Sequence, residues 1–166
     1  MILYRFTDRI YADDLNGKGA AKNGARWNSP GTRVVYCCAA EASTLLEVLA
    51  HAEEVPENHV LVIMDIPDDV TIADPKALPS TWKALDYHTA TQTVGDTFVN
   101  DGKALLLRVP SAITTTDQNY LLNPDHPDAK RVTWKIVDPY DFDPRLFKKA
   151  KPKAKKKPKK KAKPKK

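Results

Sequence analysis

A near-continuous apolar run at residues 60–66 (VLVIMDI) constrains the fold of this chain more than any other feature. Such runs are typical of strands buried on both faces, so other parts of the chain must cover the sheet on each side. Residues 104–109 (ALLLRV) give a second run of this kind, which Pro110 ends. Three further segments are β-branched or aromatic and are also expected to be strands: residues 2–6, 33–38 and 132–137.

Helical patterns are fewer than strand patterns. The clearest covers residues 41–51 (EASTLLEVLAH), where three leucines and an alanine recur at helical spacing and predict the buried face. A short helix is expected at residues 91–99, and residues 70–73 are expected to pair beside the central apolar run. Residues 11–24 and 118–128 are polar or rich in Asn, Asp and Pro, which favours loops. Since no regular βαβ alternation appears, we predict an α+β fold with a mixed, curved β-sheet and flanking helices.

Charge divides the chain into two parts. Residues 148–166 contain 13 of the 27 basic residues and none of the 21 acidic residues. The other 14 basic residues face all 21 acidic ones, so residues 1–147 are net acidic by about seven charges although the whole chain has a net charge of +6. The last segment contains only Lys, Pro and Ala, which cannot bury apolar surface and repel one another. We therefore predict one domain, residues 1–147, and a disordered C-terminal tail, residues 148–166.

Several classes of site and compartment are disfavoured. The two cysteines, Cys37 and Cys38, are adjacent, and a disulfide between neighbours is strained, so two free thiols in a reducing compartment are expected. The four histidines are scattered and no metal-binding spacing is present, so no metal is expected. No stretch approaches the length of a membrane span, and the first residues do not resemble a signal peptide. We expect a cytoplasmic protein without membrane contact.

The densest group of candidate functional residues lies between residues 23 and 47. A loop carries Arg26, the strand after it carries Tyr36, and the following helix carries Glu47 beside its apolar residues. A guanidinium, an aromatic ring and a half-buried carboxylate are the groups expected around an anionic ligand with a flat ring. Each also has a structural interpretation: the arginine can pair with an acid, the tyrosine can fill the core, and the glutamate can face solvent.

The motifs of this chain, in their order, resemble those of the RES domain family, which is named for an arginine, a glutamate and a serine. The matching motifs are Tyr4-Arg5, Gly24-Ala25-Arg26-Trp27-Asn28, Val35-Tyr36, Leu46-Glu47, Gly95-Asp96, Pro110-Ser111, Asn119, and Asn123-Pro124-Asp125-His126-Pro127. The resemblance covers the chain from its first residue to about residue 143. One departure is Ala25, where the family more often has glycine.

This resemblance implies a fold similar to that of ADP-ribosyltransferase toxins. It further implies an NAD+-degrading toxin of a bacterial toxin–antitoxin pair that cleaves the nicotinamide–ribose N-glycosidic bond by hydrolysis or phosphorolysis. The implied partner is a helix-turn-helix antitoxin, which could act by covering an arginine-lined pocket. NAD+ would be a substrate held by side chains and not a bound cofactor, because the sequence has neither GxGxxG nor GxxxxGK[ST].

The resemblance also implies the site residues: Arg5, Arg26, Tyr36, Glu47 and Ser111. Arg5 and Arg26 are expected to bind the pyrophosphate, and Tyr36 is expected to stack on the nicotinamide ring. Glu47 is the expected catalytic carboxylate, since it can stabilise the positive charge that develops on the ribose. Ser111 is expected to bind the ribose or to position Glu47. Glu47, Arg26 and Ser111 are the expected catalytic residues, and Arg26 and Ser111 are also expected to bind the substrate. Asn119, Asn123 and His126 could line the pocket rim or brace the loop that contains them, and bracing is the favoured interpretation.

Two other functions stay open. The first is an ADP-ribosyltransferase that modifies a protein target. The second is a catalytically idle binding protein that uses the lysine tail, residues 148–166, for nonspecific contact with nucleic acid or another polyanion. No base-reading side chains interleave with the lysines, so the tail predicts no sequence specificity.

Overall fold

The structure is a computed structural model that describes residues 1–13, 15–52, 56 and 58–146. The strands in these residues are β1 (Ile2–Asp8), β2 (Val35–Cys38), β3 (His59–Asp65), β4 (Ile72–Ala73), β5 (Leu106–Pro110), β6 (Gln118–Leu122) and β7 (Thr133–Val137). The α-helices are α1 (Lys18–Asn23), α2 (Glu41–His51) and α3 (Thr89–Asp101), and short 3-10 turns cover Arg9–Tyr11, Pro127–Arg131 and Pro144–Leu146.

The seven described strands form one sheet in the order β4-β5-β6-β2-β1-β3-β7. β4 and β5 pair in parallel, whereas the other neighbours pair antiparallel, so the sheet is mixed. The predicted α+β class, with a curved sheet and flanking helices, is confirmed. The predicted tail, residues 148–166, lies outside the described residues.

Apolar side chains fill both sides of the sheet. Leu106 and Leu122 belong to one buried cluster, and their chain neighbours Leu107 and Leu121 belong to another. Successive side chains of a strand point to opposite faces, so the two clusters lie on opposite faces of the sheet. This arrangement explains why β3 and β5 have apolar runs without polar alternation.

Three segments differ from the sequence-based expectation. Residues 118–122 form β6 and not a loop, because pairing with both β2 and β5 outweighs the local loop preference of the segment. β4 pairs with β5 at one edge of the sheet and not beside β3, and a two-residue strand offers little sequence pattern to fix its partner. The expected loop at residues 11–24 contains the six-residue helix α1.

Helix α2 begins and ends where the sequence predicts, but its buried face is polar. Its buried residues are Ser43 and Thr44, whereas Leu46 is 40 % exposed. The Ser43 hydroxyl donates a hydrogen bond to Asp117 Oδ2 at 2.8 Å, and Thr44 Oγ1 lies 3.4 Å from the Tyr4 carbonyl oxygen. The predicted leucine face is only partly confirmed, since Leu45 and Leu49 are half-buried while Leu46 and Ala42 are exposed. Hydrogen bonds to β1 and to the segment before β6 turn Ser43 and Thr44 toward the sheet instead.

Two further expectations can be compared with the described residues. Cys37 and Cys38 are both buried free cysteines, as predicted. No helix in the described part of the chain is both long and apolar enough to cross a membrane.

Candidate functional site

A cavity of about 490 Å³ opens between α2 and the sheet. Its wall includes four of the five predicted site residues: Arg5, Arg26, Tyr36 and Glu47. They come from β1, the loop before β2, β2 and α2, so the site exists only after the chain has folded. A cavity of this volume is within the range of small-molecule binding sites.

Tyr36 is held by its hydroxyl group at the cavity wall. The hydroxyl donates a hydrogen bond to Asn28 Oδ1 at 2.8 Å and accepts one from the Trp27 backbone N–H at 3.0 Å. Burial is the largest of the causes that raise the pKa of the Tyr36 phenol above its usual value, so the phenol is neutral and can donate. The ring is thus fixed in orientation beside the segment that carries Arg26.

Glu47 is half-buried on α2 and is held from the sheet. Its Oε1 accepts a hydrogen bond from Asn119 Nδ2 at 2.8 Å. Asn119 lies on β6 opposite Cys38 of β2, and both residues line the cavity. The carboxylate therefore has a defined position in the cavity, as a group must have if it is to stabilise developing positive charge.

Arg26 anchors a loop over the cavity. Its Nη1 donates hydrogen bonds of 2.7 Å to the carbonyl oxygens of both Trp82 and Ala84. The guanidinium carbon also lies 5.5 Å from the centre of the Tyr87 ring, a cation–π distance. Beside it, Trp27 and Trp82 stack with ring centres 6.2 Å apart. We call residues 82–87 the rim loop, and Arg26 is its main described anchor.

Arg5 belongs to the cavity wall but lies on a different face of the sheet from Tyr36. Arg5 pairs with Val62, and residues opposite each other in an antiparallel pair share a face. Val62 is in the cluster that contains Leu106, whereas Tyr36 pairs with Leu121 of the other cluster. Glu47 meets Asn119, which shares a face with Leu121, and Trp27 beside Arg26 is in the same cluster as Leu121. Arg26, Tyr36 and Glu47 therefore lie on one face, and Arg5 lies on the other.

Ser111 lies next to the cavity but is not among its described lining residues. Its Oγ accepts hydrogen bonds from the backbone N–H groups of Ile113 and Thr114, at 3.2 and 3.1 Å. Pro110, Ala112 and Ile113, which surround it in sequence, do line the cavity. In this structure Ser111 shapes a cavity-lining turn, and its expected contact with a ribose stays a prediction.

The cavity-lining residues also include Asn119, His51 and Lys83, whose polar groups sequence reasoning did not place in the site. For Asn119 the sequence favours bracing of a loop over a place at the pocket rim, whereas the structure puts it in the cavity wall. Strand alternation was the available signal, because Asn119 shares a face with Leu121, two residues later. His51 follows Glu47 by four residues, which places both on one side of α2. Lys83 lies on the rim loop, and no pattern in the sequence points to it.

The arrangement has a clear chemical character. One face presents a carboxylate, a fixed aromatic ring and a guanidinium, while Lys83 adds a second cation at the rim. In the described residues no group of three or more His, Cys, Asp or Glu side chains could hold a metal ion. The cavity can bind an anion through the cations, a flat ring against Tyr36, and a developing positive charge beside Glu47.

The chain is similar in sequence to proteins named as toxins. The RES domain family model matches residues 2–143. "Toxin Res" of Pseudomonas putida is 40 % identical over 151 residues, which cover 89 % of this chain and 100 % of that protein. "Prs ADP-ribosylating toxin" of Sphingobium sp. is 37 % identical over 145 residues, covering 84 % of this chain and 90 % of that protein.

A solved structure supports the fold independently. The crystal structure of the M.tuberculosis MbcT–MbcA toxin–antitoxin complex contains a chain that superposes with a TM-score of 0.67. The match covers 82 % of each chain at 20 % sequence identity. At that identity the similarity shows that the two chains share a fold.

Proposed function

This chain belongs to the RES domain family, and on that basis we propose that it is the toxin of a toxin–antitoxin pair and that its substrate is NAD+. The observation that carries the proposal is the cavity in which Tyr36, Arg26 and Glu47 share one face. NAD+ has a flat cationic ring, a ribose and a pyrophosphate, and each of these has a matching group on that face.

The reaction we propose is cleavage of the nicotinamide–ribose bond. The bond between ribose C1′ and the nicotinamide nitrogen breaks, its electron pair stays on the nitrogen, and neutral nicotinamide leaves. The ribose becomes an oxocarbenium-like cation, which the Glu47 carboxylate stabilises. With water as acceptor the products are nicotinamide, ADP-ribose and one proton, and Glu47 can accept that proton as general base. With phosphate the product is ADP-ribose 1″-phosphate.

The other residues bind and orient the substrate in this proposal. The Tyr36 ring stacks on nicotinamide, since its hydroxyl is already fixed by Asn28 and Trp27. Arg26 uses Nη1 for the rim loop, and its remaining donors can meet the pyrophosphate. The family resemblance also implies Arg5 for that anion, but its strand position is on the other face of the sheet, so the proposal relies on Arg26. Ser111 contributes by shaping the turn at Ala112 and Ile113, or through the ribose contact that the family resemblance implies.

Transfer of ADP-ribose to a protein is the second candidate function. It is favoured by the 37 % identical relative, whose name is "Prs ADP-ribosylating toxin". The same carboxylate and the same oxocarbenium-like intermediate would serve, with a protein nucleophile in place of water or phosphate. The two functions therefore differ in the acceptor and not in the cavity residues named above.

We further propose an antitoxin partner, since the superposed structure is a toxin–antitoxin complex. The helix-turn-helix type of that partner is what the family resemblance implies. We place the protein in the cytoplasm, because two buried free thiols suit a reducing compartment. The lysine tail would add nonspecific contact with nucleic acid or another polyanion.

Product analysis tests the proposal. The full chain, freed of any bound antitoxin, is incubated with NAD+ in the presence and absence of phosphate, and the products are separated by chromatography. We expect release of nicotinamide together with ADP-ribose or its 1″-phosphate. Glu47→Gln keeps the shape of the side chain but removes its charge, and it should slow the release at least about 100-fold.

The acceptor decides between the candidates. If nicotinamide is released and ADP-ribose becomes attached only to added protein, the transferase function replaces the degrading one. If NAD+ is unchanged with every acceptor, the proposed NAD+ chemistry is wrong.

A further inference from the structure

Asn119 is fixed in the centre of the sheet. It lies on β6 and is paired with Cys38 of β2 on one side and with Val109 of β5 on the other. Two ladders of backbone hydrogen bonds therefore hold its main chain. Its side chain shares a sheet face with Leu121 and extends toward α2, where it meets Glu47.

The orientation of the Asn119 amide is determined by its neighbours. The Cys38 thiol donates to Asn119 Oδ1, with a sulfur–oxygen distance of 3.3 Å. Burial is the main cause that raises the pKa of the Cys38 thiol to about 11, so the thiol keeps its proton and acts as a donor. With Oδ1 used as an acceptor, Nδ2 is left to donate to Glu47 at 2.8 Å.

The hydrogen bond restrains a side chain that would otherwise move. A glutamate side chain has three rotatable bonds, and holding it in one conformation costs entropy. A hydrogen bond from an amide to a charged carboxylate offsets that cost and is stronger than one between neutral groups. Among the described residues, Asn119 is the only one that donates a hydrogen bond to Glu47.

We propose that Asn119 is a positioning residue for Glu47 in cleavage of the nicotinamide–ribose bond. This inference rests on the proposed function. Asn119 holds one carboxylate oxygen, Oε1, so that the carboxylate stays beside the ribose when the bond breaks. The thiol of Cys38 supports it by fixing which end of the amide faces Glu47.

Two variants of the full chain test this role, with nicotinamide release from NAD+ as the readout. Asn119→Ala removes the donor and should lower kcat about 10- to 100-fold while KM for NAD+ changes less than about 3-fold. Asn119→Asp keeps the shape but places a second carboxylate against Glu47. Like charges at that distance repel, so N119D should be slower than N119A at neutral pH.

The ratio of the N119D rate to the N119A rate is measured as a function of pH, because a purely structural role of Asn119 would leave this ratio independent of pH. Lowering the pH from about 8 to about 6 lets the new carboxyl of N119D hold a proton and donate it to Glu47, so the N119D to N119A rate ratio should rise. His51, one turn away on α2, and Asp117, which lies near Cys38, are unchanged in both variants, so the rate ratio reports on position 119. If Asn119 only fills space, N119D will be at least as active as N119A at every pH, and the inference is wrong.

Asn123→Ala is the matched control. Asn123 is an asparagine too and directly follows the same strand; it is buried, and its amide donates to the Val99 carbonyl oxygen and not to the cavity. N123A should lower stability while leaving kcat per folded molecule within about 3-fold of wild type. An equal kcat loss in N123A and N119A would mean that packing alone explains both, and would overturn the inference.

A second readout separates this inference from the proposed function. If the wild-type chain releases no nicotinamide, the proposed function fails, and the side-chain amide signal of Asn119 in a nitrogen-15 NMR spectrum then decides. We expect that signal, assigned by its absence in N119A, to move when Glu47→Ala is introduced. A signal that does not move would show that the amide does not hold Glu47.

Discussion

Gly95→Ala is the substitution whose effect the structure defines most sharply. Gly95 is buried in α3, where the helix crosses the segment that carries Trp27. A Cβ added at Gly95 would lie 1.8 Å from the Trp27 carbonyl oxygen, whereas carbon–oxygen contacts normally start at about 3.3 Å. The obstacle is backbone, which cannot rotate away as a side chain can. Helix α3 would have to move by about 1.5 Å, and Phe98 with it.

The cost can be worked out from two opposing terms. Overpacking a closely packed core costs about 1–3 kcal/mol, and a clash with backbone belongs at the upper end. Replacing a helical glycine by alanine returns up to about 1 kcal/mol of helix propensity. We therefore expect G95A to lower the free energy of unfolding by about 2 kcal/mol.

Urea unfolding of the full chain, followed by tryptophan fluorescence, measures this change. Gly19→Ala is the matched control, because Gly19 is also helical but a Cβ there would meet only Tyr11 Cδ2, at 4.0 Å. We expect G19A to be as stable as wild type or up to about 1 kcal/mol more stable. If G95A unfolds at the same urea concentration as G19A, the close approach of α3 to Trp27 is wrong.

Two further predictions concern the rim loop and the response to alkali. Arg26→Ala removes both hydrogen bonds to the Trp82 and Ala84 carbonyl oxygens, so chymotrypsin should cut within residues 82–87 faster than in wild type. Arg33→Ala is the control, because it removes only an exposed ion pair and should leave the loop as protected as in wild type. Burial, followed by the Glu41 carboxylate, raises the pKa of the Tyr140 phenol from 10.0 to about 12. The neutral phenol therefore contributes its full stability below pH 10, and this contribution is lost as the pH rises through 12. In urea unfolding, the free energy of unfolding of Tyr140→Phe should fall less between pH 10 and 12 than that of wild type. An equal fall in both proteins would contradict this prediction.

Much of the sheet could be predicted from local pattern. The apolar run of β3 and the alternation in β1 and β7 give strands directly, because burial on two faces or on one face leaves a direct trace in sequence. β6 gave no such trace, since an Asn-rich segment beside proline has the composition of a loop. Its strand conformation is imposed by β2 and β5 on either side, and such long-range pairing cannot be read from five residues.

The candidate site shows the same division. Tyr36 and Glu47 could be found because each lies in an element with a clear pattern and matches a family motif. The role of Arg26 as the anchor of the rim loop depends on residues 82–87, which are 56 or more positions away in sequence. Asn119 was underrated for a related reason: its partner Glu47 is 72 residues away, and only the assembled sheet brings them together.

We propose that the activity lies in the cavity and not in the tail. This proposal is tested most directly by producing three forms of the protein without antitoxin in bacterial cells: wild type, Glu47→Gln, and a form that lacks residues 150–166. Growth and cellular NAD+ are followed together. We predict that wild type and the truncated form arrest growth and deplete NAD+, while E47Q does neither. Arrest by E47Q, together with loss of arrest on truncation, would contradict the account and favour an idle body with an active tail.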